Sequence, residues 1–410
     1  MCYDNACTGP PKLSARSKSK DHITCLERRL QWWKDGDLDS LLREGRAIQG
    51  QLPAAHKLDH DETSARKGFV RLMLQGNVKG ALKCLQGLST GGVLDLNAEL
   101  ANGNTVLQEL REKHPDAAPA GPNTLLFGPV NLVDPVIFQS IDAELVRTIC
   151  LQTTGAAGVS GLDSSAWRRI CCSFGSASST LCQAIARLTR LLATTGVDPD
   201  GISALLAGRL IPLDKNPRVR PIGVGEVLRR IIAKLILRVT KHRIQECAGS
   251  LQLCAGQEAG IEAAVHALRE VFADDATDGL LLVDASNAFN SINREALLHN
   301  INVLCPALST VVKIFYSVPS YLYVSGSKIE SKEGTTQGDP LAMPIYALAV
   351  MPIILRLANS ASVQQETMQV WYADDAGAGG RLRYLRLWWD LLLSIGPSFG
   401  YSQMHARPGF

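Results

Sequence analysis

Residues 370–380 constrain this chain more than any other stretch. An apolar run, Val370-Trp371-Tyr372, leads into Ala373-Asp374-Asp375 and leaves through Gly377-Ala378-Gly379-Gly380. Two adjacent carboxylates between a strand-forming run and glycines read as the tip of a tight hairpin, because glycine takes the positive φ that such turns need. A second acidic pair, Asp274-Asp275, lies in a polar run and reads as a solvated loop. What separates the two pairs is the company that Asp374 keeps upstream.

Leu280-Leu281-Leu282-Val283 is an apolar strand run ending in Asp284. A carboxylate at the end of a buried strand is costly unless it is paired, protonated or bound to a cation. Asn287, Phe289 and Asn290 follow, and Asn293 is placed to cap the next helix. Tyr321 to Val324 and Lys328 to Ser331 read as a hairpin. After it, Gly334-Thr335-Thr336-Gln337-Gly338-Asp339-Pro340 forms a loop, with Pro340 in the first turn of a helix running to about residue 357. Pro344 and Pro352 are expected to kink that helix.

Further upstream, Leu210-Ile211-Pro212-Leu213 and Val219-Arg220-Pro221-Ile222-Gly223 read as short strands joined by the basic turn Asp214-Lys215-Asn216-Pro217-Arg218. The helix expected over 226–244 turns Val227, Ile231, Leu235 and Val239 inward and Arg229, Lys234, Arg238 and Lys241 outward. Between Arg209 and Arg243 ten basic residues face only Asp214 and Glu226. A local field of that sign attracts phosphates, whereas the whole chain, at +3, selects no partner.

A chain of 410 residues is expected to divide into two or more subdomains. Residues 1–22 read as a disordered basic tail, 23–115 as a helical region, 116–135 as a proline-rich linker, 136–401 as the region holding the motifs above, and 402–410 as an unmatched tail. A helix is expected over 134–149. Gly155 to Gly161 is rich enough in glycine for a phosphate loop but lacks the Gly-Lys-Ser/Thr ending of a nucleotide triphosphatase. The eleven cysteines form no Cys-x-x-Cys pair and read as buried or free thiols. With no signal peptide they fit a reducing, intracellular compartment. No run of about 18 apolar residues indicates a membrane span.

In order and type these motifs resemble a reverse transcriptase. The resemblance runs from about residue 153 to 401. Lys215 and Arg220-Pro221-Ile222 look like the fingers motif, Asp284-Ala285-Ser286-Asn287-Ala288-Phe289-Asn290 like the first palm motif, Thr336-Gln337-Gly338-Asp339-Pro340-Leu341 like the second, and Tyr372-Ala373-Asp374-Asp375 like the third. Gln337-Gly338-Asp339-Pro340 and Arg220-Pro221-Ile222 are nearest to retroelement polymerases of the non-long-terminal-repeat and group II intron type.

The resemblance implies an α+β fold, the fingers and palm of a right-hand polymerase. It implies an RNA template, a DNA primer and deoxynucleoside triphosphates as partners, with no membrane. The cofactor is a pair of Mg²⁺ ions, which Mn²⁺ replaces in some such enzymes. By the same resemblance Asp284 and Asp374 bridge the metals, Asp375 stands beside them, and the Ala285 carbonyl completes one shell. Lys215 and Arg220 clamp the triphosphate. Phe289 is the aromatic gate against a ribose 2′-hydroxyl, and Gln337 and Gly338 line the forming base pair.

The chain departs from the family after Tyr401, where residues 402–410 match neither the expected lysine motif nor a primer grip or thumb, and at Pro344, where the palm helix prefers a good helix former. Two alternatives remain. One is an RNA-dependent RNA polymerase, against which Phe289 and Ala373 speak. The other is a nucleic-acid-binding remnant without turnover.

Overall fold

The computed structural model describes residues 19–51, 62–74, 92–129, 133–215, 218–360 and 367–402, with positions 76, 78 and 81 between. The expected basic tail up to residue 18, the C-terminal residues 403–410, Leu82, Leu85 and Gly91 of the helical region, and the turn residues Asn216 and Pro217 lie outside the described residues. The fold is mixed α+β, as expected from the alternation of helical and strand patterns.

Helices α1 (Ser19–Asp35), α2 (Leu38–Gln51) and α3 (Glu62–Leu74) open the chain, and Arg28 and Arg29 of α1 both donate to Glu44 of α2. Helix α4 (Val106–Glu112) starts in a capping box in which Thr105 and Gln108 satisfy each other's backbone N–H. Its Val106 and Leu110 form a small core with residues of the four-stranded sheet described below.

The proline-rich stretch expected as a linker is held along the helix Arg294–Leu304. Asn293 donates to the Ala118 carbonyl at 2.8 Å, Asn300 to the Thr124 carbonyl at 2.8 Å, and Leu126 N–H donates back to Asn300 at 2.9 Å. The helix expected over 134–149 is broken in two. A 3-10 turn, Pro135–Phe138, ends before Asp142, whose carboxylate caps α5 (Ala143–Gln152) by accepting from Leu145 N–H at 2.8 Å.

Helices α6 (Ser164–Cys172) and α7 (Gly175–Thr194) pack on α5. Strands β1 (Gly208–Lys215) and β2 (Arg218–Gly225) then form the expected basic hairpin. Helices α8 (Val227–Ala248) and α9 (Gly260–Ala273) lead to β3 (Gly279–Val283), and α10 (Arg294–Leu304) and α11 (Pro306–Tyr316) to the hairpin β4 (Ser320–Val324) and β5 (Ser327–Ser331). Helices α12 (Ala342–Ala349) and α13 (Met351–Asn359) precede β6 (Thr367–Tyr372), β7 (Asp375–Gly380) and α14 (Leu382–Ile395).

One sheet has the order β2-β1-β4-β5 and the other β3-β7-β6. The β1 and β4 strands run parallel; every other pair is antiparallel.

Three expectations change here. The prolines do not kink one long helix: Pro344 and Pro352 each fall in the first turn of a separate helix, where the missing N–H has no intrahelical partner to lose. The apolar stretch Ala342–Asn359 is long enough to cross a membrane by composition, yet 67% of it is buried and it forms the core. Strand β3 is not buried on both faces, because it is the edge of its sheet and Leu282 is 72% exposed.

Nor are the glycines after Asp375 the turn. Gly377 and Gly379 sit inside β7, where an added Cβ would lie 2.7 Å from Leu268 and 2.6 Å from Val271 of α9. They let a helix close on the strand.

Candidate active site

The β6–β7 pairing ends at Tyr372 opposite Asp375, which leaves Ala373 and Asp374 as a two-residue turn. The β3–β7 pairing ends at Val283 opposite Ala376, so Asp284 emerges beside Asp375 at the same end of the sheet. Three acids from two sequence segments thus share one edge.

The electrostatics agree with the register. Burial raises the Asp374 acid above the usual carboxylate range. A hydrogen bond from its own backbone opposes that rise, the charge of Asp284 adds to it, and Lys215 and Arg220 pull it down. Asp375 is exposed at its surface but stands on packed protein; burial raises it first, then the charges of Asp374 and Asp284, again against Lys215. Lys215 and Arg220 reach this site from one face of the β1–β2 hairpin. Leu213 pairs with Arg220 and Lys215 with Arg218, so the alternation puts all four on the same side, while Val219 and Pro221 are buried on the other.

Among the described residues no three His, Cys, Asp or Glu side chains form a ready-made metal cage. The donor set nevertheless suits Mg²⁺, which takes hard oxygens and is held by one or two carboxylates together with substrate phosphates. Asp374 and Asp375, both raised first by burial and then by neighbouring negative charge, are the electrostatic counterpart of such a cation.

A carboxylate with a raised folded pKa contributes stability that is present at low pH and lost as pH climbs from the unfolded value, about 4, through the raised one. The metal-free protein is therefore expected to lose thermal stability on that rise. Added Mg²⁺ should restore more at about pH 8 than at about pH 5, since metal binding needs deprotonated ligands. Melting curves at the two pH values, with and without Mg²⁺, measure this; an equal Mg²⁺ effect at both counts against a carboxylate site.

Phe289 lies in the short helical turn Ala288–Ser291, opened by Asn287 at a left-handed φ of 52°. Its ring is half-buried, 4.7 Å from that of Tyr346 on α12. The loop carrying Gln337 is pinned on two sides. Thr335 N–H donates to the Phe289 carbonyl, and Gly223 N–H of β2 donates to the Gln337 carbonyl at 2.8 Å. Gly338 has φ +113° and packs so closely that a Cβ would be 2.3 Å from the Gly223 oxygen. Gln337 and Gly338 therefore meet the basic hairpin directly. Ala285 is buried just past Asp284.

The basic face is narrower than the sequence suggests. Arg229, expected outward, is 4% exposed and donates to Asp339 at 2.6 Å and to the Leu206 carbonyl at 2.9 Å. Arg209 donates to the Ala157 carbonyl, Arg230 to those of Thr154 and Ala156, and Lys234 to the Thr153 hydroxyl. The glycine-rich loop is thus occupied within the chain. Its Ser160 N–H and hydroxyl donate to the Glu226 carboxylate at 2.7 and 2.6 Å, the place a bound phosphate would need.

Sequence reasoning missed Gln252, Tyr346, Tyr401 and the Arg229–Asp339 pair. For Arg229 a signal existed, since Ala233, Ile236 and Thr240 continue its stripe of α8 and are all buried. For Gln252 nothing in the sequence signals the partner, which lies 121 residues away.

No protein-family model matches the chain, and no curated protein matches it.

Proposed function

We propose that the chain is an RNA-directed DNA polymerase of a retroelement, a nucleotidyltransferase that extends a primer 3′-hydroxyl with deoxynucleotides. The observation that carries this reading is the gathering of Asp284, Asp374 and Asp375 at one sheet edge with Lys215 and Arg220 facing them. Negative ligands opposed by fixed positive charge suit a nucleoside triphosphate carried with divalent cations.

Asp284 and Asp374, with Asp375 and the Ala285 carbonyl beside them, are the residues that would hold Mg²⁺. When bound, two such ions supply a more acidic primer hydroxyl and charge stabilisation at the transferred phosphorus. The other residues bind and orient. Lys215 and Arg220 hold the phosphates as fixed cations. Gln337 and Gly338 support the forming base pair. Phe289, its ring packed on that of Tyr346, would take the space of a 2′-hydroxyl.

The test is extension of a DNA primer on an RNA template by the full chain, with deoxynucleotides or ribonucleotides, for the parent and Phe289→Ala. The parent is expected to use deoxynucleotides, and Phe289→Ala to narrow the preference by roughly 10–200-fold, the scale on which one packed group discriminates. A template–primer that is bound but never extended, with Mg²⁺ or Mn²⁺, would leave the remnant reading and remove the polymerase.

A further inference from the structure

Residues 251–254 run beside β6 as a short parallel partner. Trp371 N–H donates to the Leu251 carbonyl and Leu253 N–H to the Trp371 carbonyl, both at 2.8 Å, so Gln252 lies opposite Trp371. The Gln252 side chain is fully buried and reaches the turn beyond the strand end. Its Oε1 accepts from Ala373 N–H at 2.9 Å, and its Nε2 donates to the Ala373 carbonyl at 3.2 Å.

Ala373 needs that partner. It is 3% exposed and holds φ at +55°, a left-handed conformation that a residue with a Cβ rarely adopts. The Gln252 amide meets both of its buried backbone polar groups, and only the N–H has a further neighbour, the Cys254 sulfur.

The consequence reaches Asp374. The Ala373 carbonyl belongs to the peptide plane before Asp374, and Gln252 fixes it. The Asp374 carbonyl belongs to the plane after it, and the Tyr401 hydroxyl donates to that oxygen at 3.0 Å. With both flanking planes held by buried side chains, φ and ψ of Asp374 are set. The direction of its Cα–Cβ bond is then set too.

We propose that Gln252 is a positioning residue for the metal-binding carboxylate Asp374, acting through Ala373 to hold the tip of the hairpin in its left-handed turn. This rests on the polymerase reading above. It goes beyond it by assigning cation affinity to a residue with no charge, distant in sequence from every acid of the site.

The test is a Mn²⁺ titration of the full chain without nucleic acid, reading free Mn²⁺ by electron paramagnetic resonance well below the melting transition. It compares the parent, Asp374→Asn, Gln252→Met and Gln252→Asn. Gln252→Met keeps size and burial but neither donates nor accepts a strong hydrogen bond. Gln252→Asn keeps the amide and shortens its reach, and decides the matter if the methionine variant does not fold.

Asp374→Asn is expected to lose the tight site. Gln252→Met should weaken it by about tenfold or more, the scale on which outer partners of metal ligands act, and Gln252→Asn should follow in the same direction. Parent-like Mn²⁺ affinity in the folded Gln252 variants, alongside loss in Asp374→Asn, overturns the positioning role and leaves the polymerase reading standing. Unchanged Mn²⁺ binding in Asp374→Asn overturns the reading beneath it.

Discussion

If the chain is the polymerase proposed above, Asp374→Asn is expected to abolish primer extension while making the metal-free protein more stable. The two effects have one cause. Burial and the charge of Asp284 penalise the Asp374 carboxylate in the absence of a cation, so a neutral amide of the same shape relieves a cost. On the proposed polymerase reading, the same amide also withdraws a hard anionic ligand from the place where a transferred phosphate would develop charge. Loss of one preorganised charge-stabilising group lowers turnover by about 10²–10³-fold in enzymes generally, and a metal ligand is expected to lie at or beyond that range. An acid that served only the fold would move both measurements downward. Single-turnover extension and a melting curve without Mg²⁺, made on the same preparation, separate these cases; a fall in melting temperature, with or without loss of extension, would remove Asp374 from the site. Gains in stability at the expense of function are characteristic of residues held in electrostatic tension for a reaction.

What could be read in the sequence were the parts whose signal is local. The alternation in β1 and β2, the apolar run ending at Asp284 and the acid pair after Tyr372 each announce an element within about ten residues, and the register of β3-β7-β6 does bring the acids to one edge. What could not be read depends on packing between distant segments. The glycines of β7 look like turn residues until α9 lies across them. Leu280 and Leu282 look like core until β3 takes the edge of its sheet. Gln252 looks like any polar residue because its meaning lies in the backbone of Ala373. Basic composition misleads in a different way, because the chain consumes part of that charge in binding its own loop at Thr153, Thr154, Ala156 and Ala157.

The largest expected loss of stability comes from that same basic segment, at Arg229. The guanidinium lies 4.8 Å from the centre of the Phe315 ring, donates to Asp339 and is almost wholly removed from solvent. Asp339 in turn accepts from the Tyr316 hydroxyl at 2.8 Å and, through its other oxygen, from Leu341 N–H at 3.0 Å. One buried acid thereby ties α8, α11 and the start of α12 to the loop that carries Gln337. Arg229→Met leaves the acid in place without its cation, and removing one partner of a buried pair costs about 3–5 kcal/mol. Arg229→Met combined with Asp339→Asn should recover much of that loss, since the amide carbonyl can still accept from Leu341 N–H, its NH₂ can donate to the Tyr316 oxygen, and no isolated charge remains buried. Urea unfolding of the parent, Arg229→Met and the double variant measures the difference, read from midpoints at an unchanged slope. A loss below about 1 kcal/mol in Arg229→Met would place this pair among exposed ones, whose contribution is of that size. Recovery of stability in the double variant without recovery of primer extension would add a second result: that the charge pair sets where Gln337 stands against β2, beyond holding the loop closed.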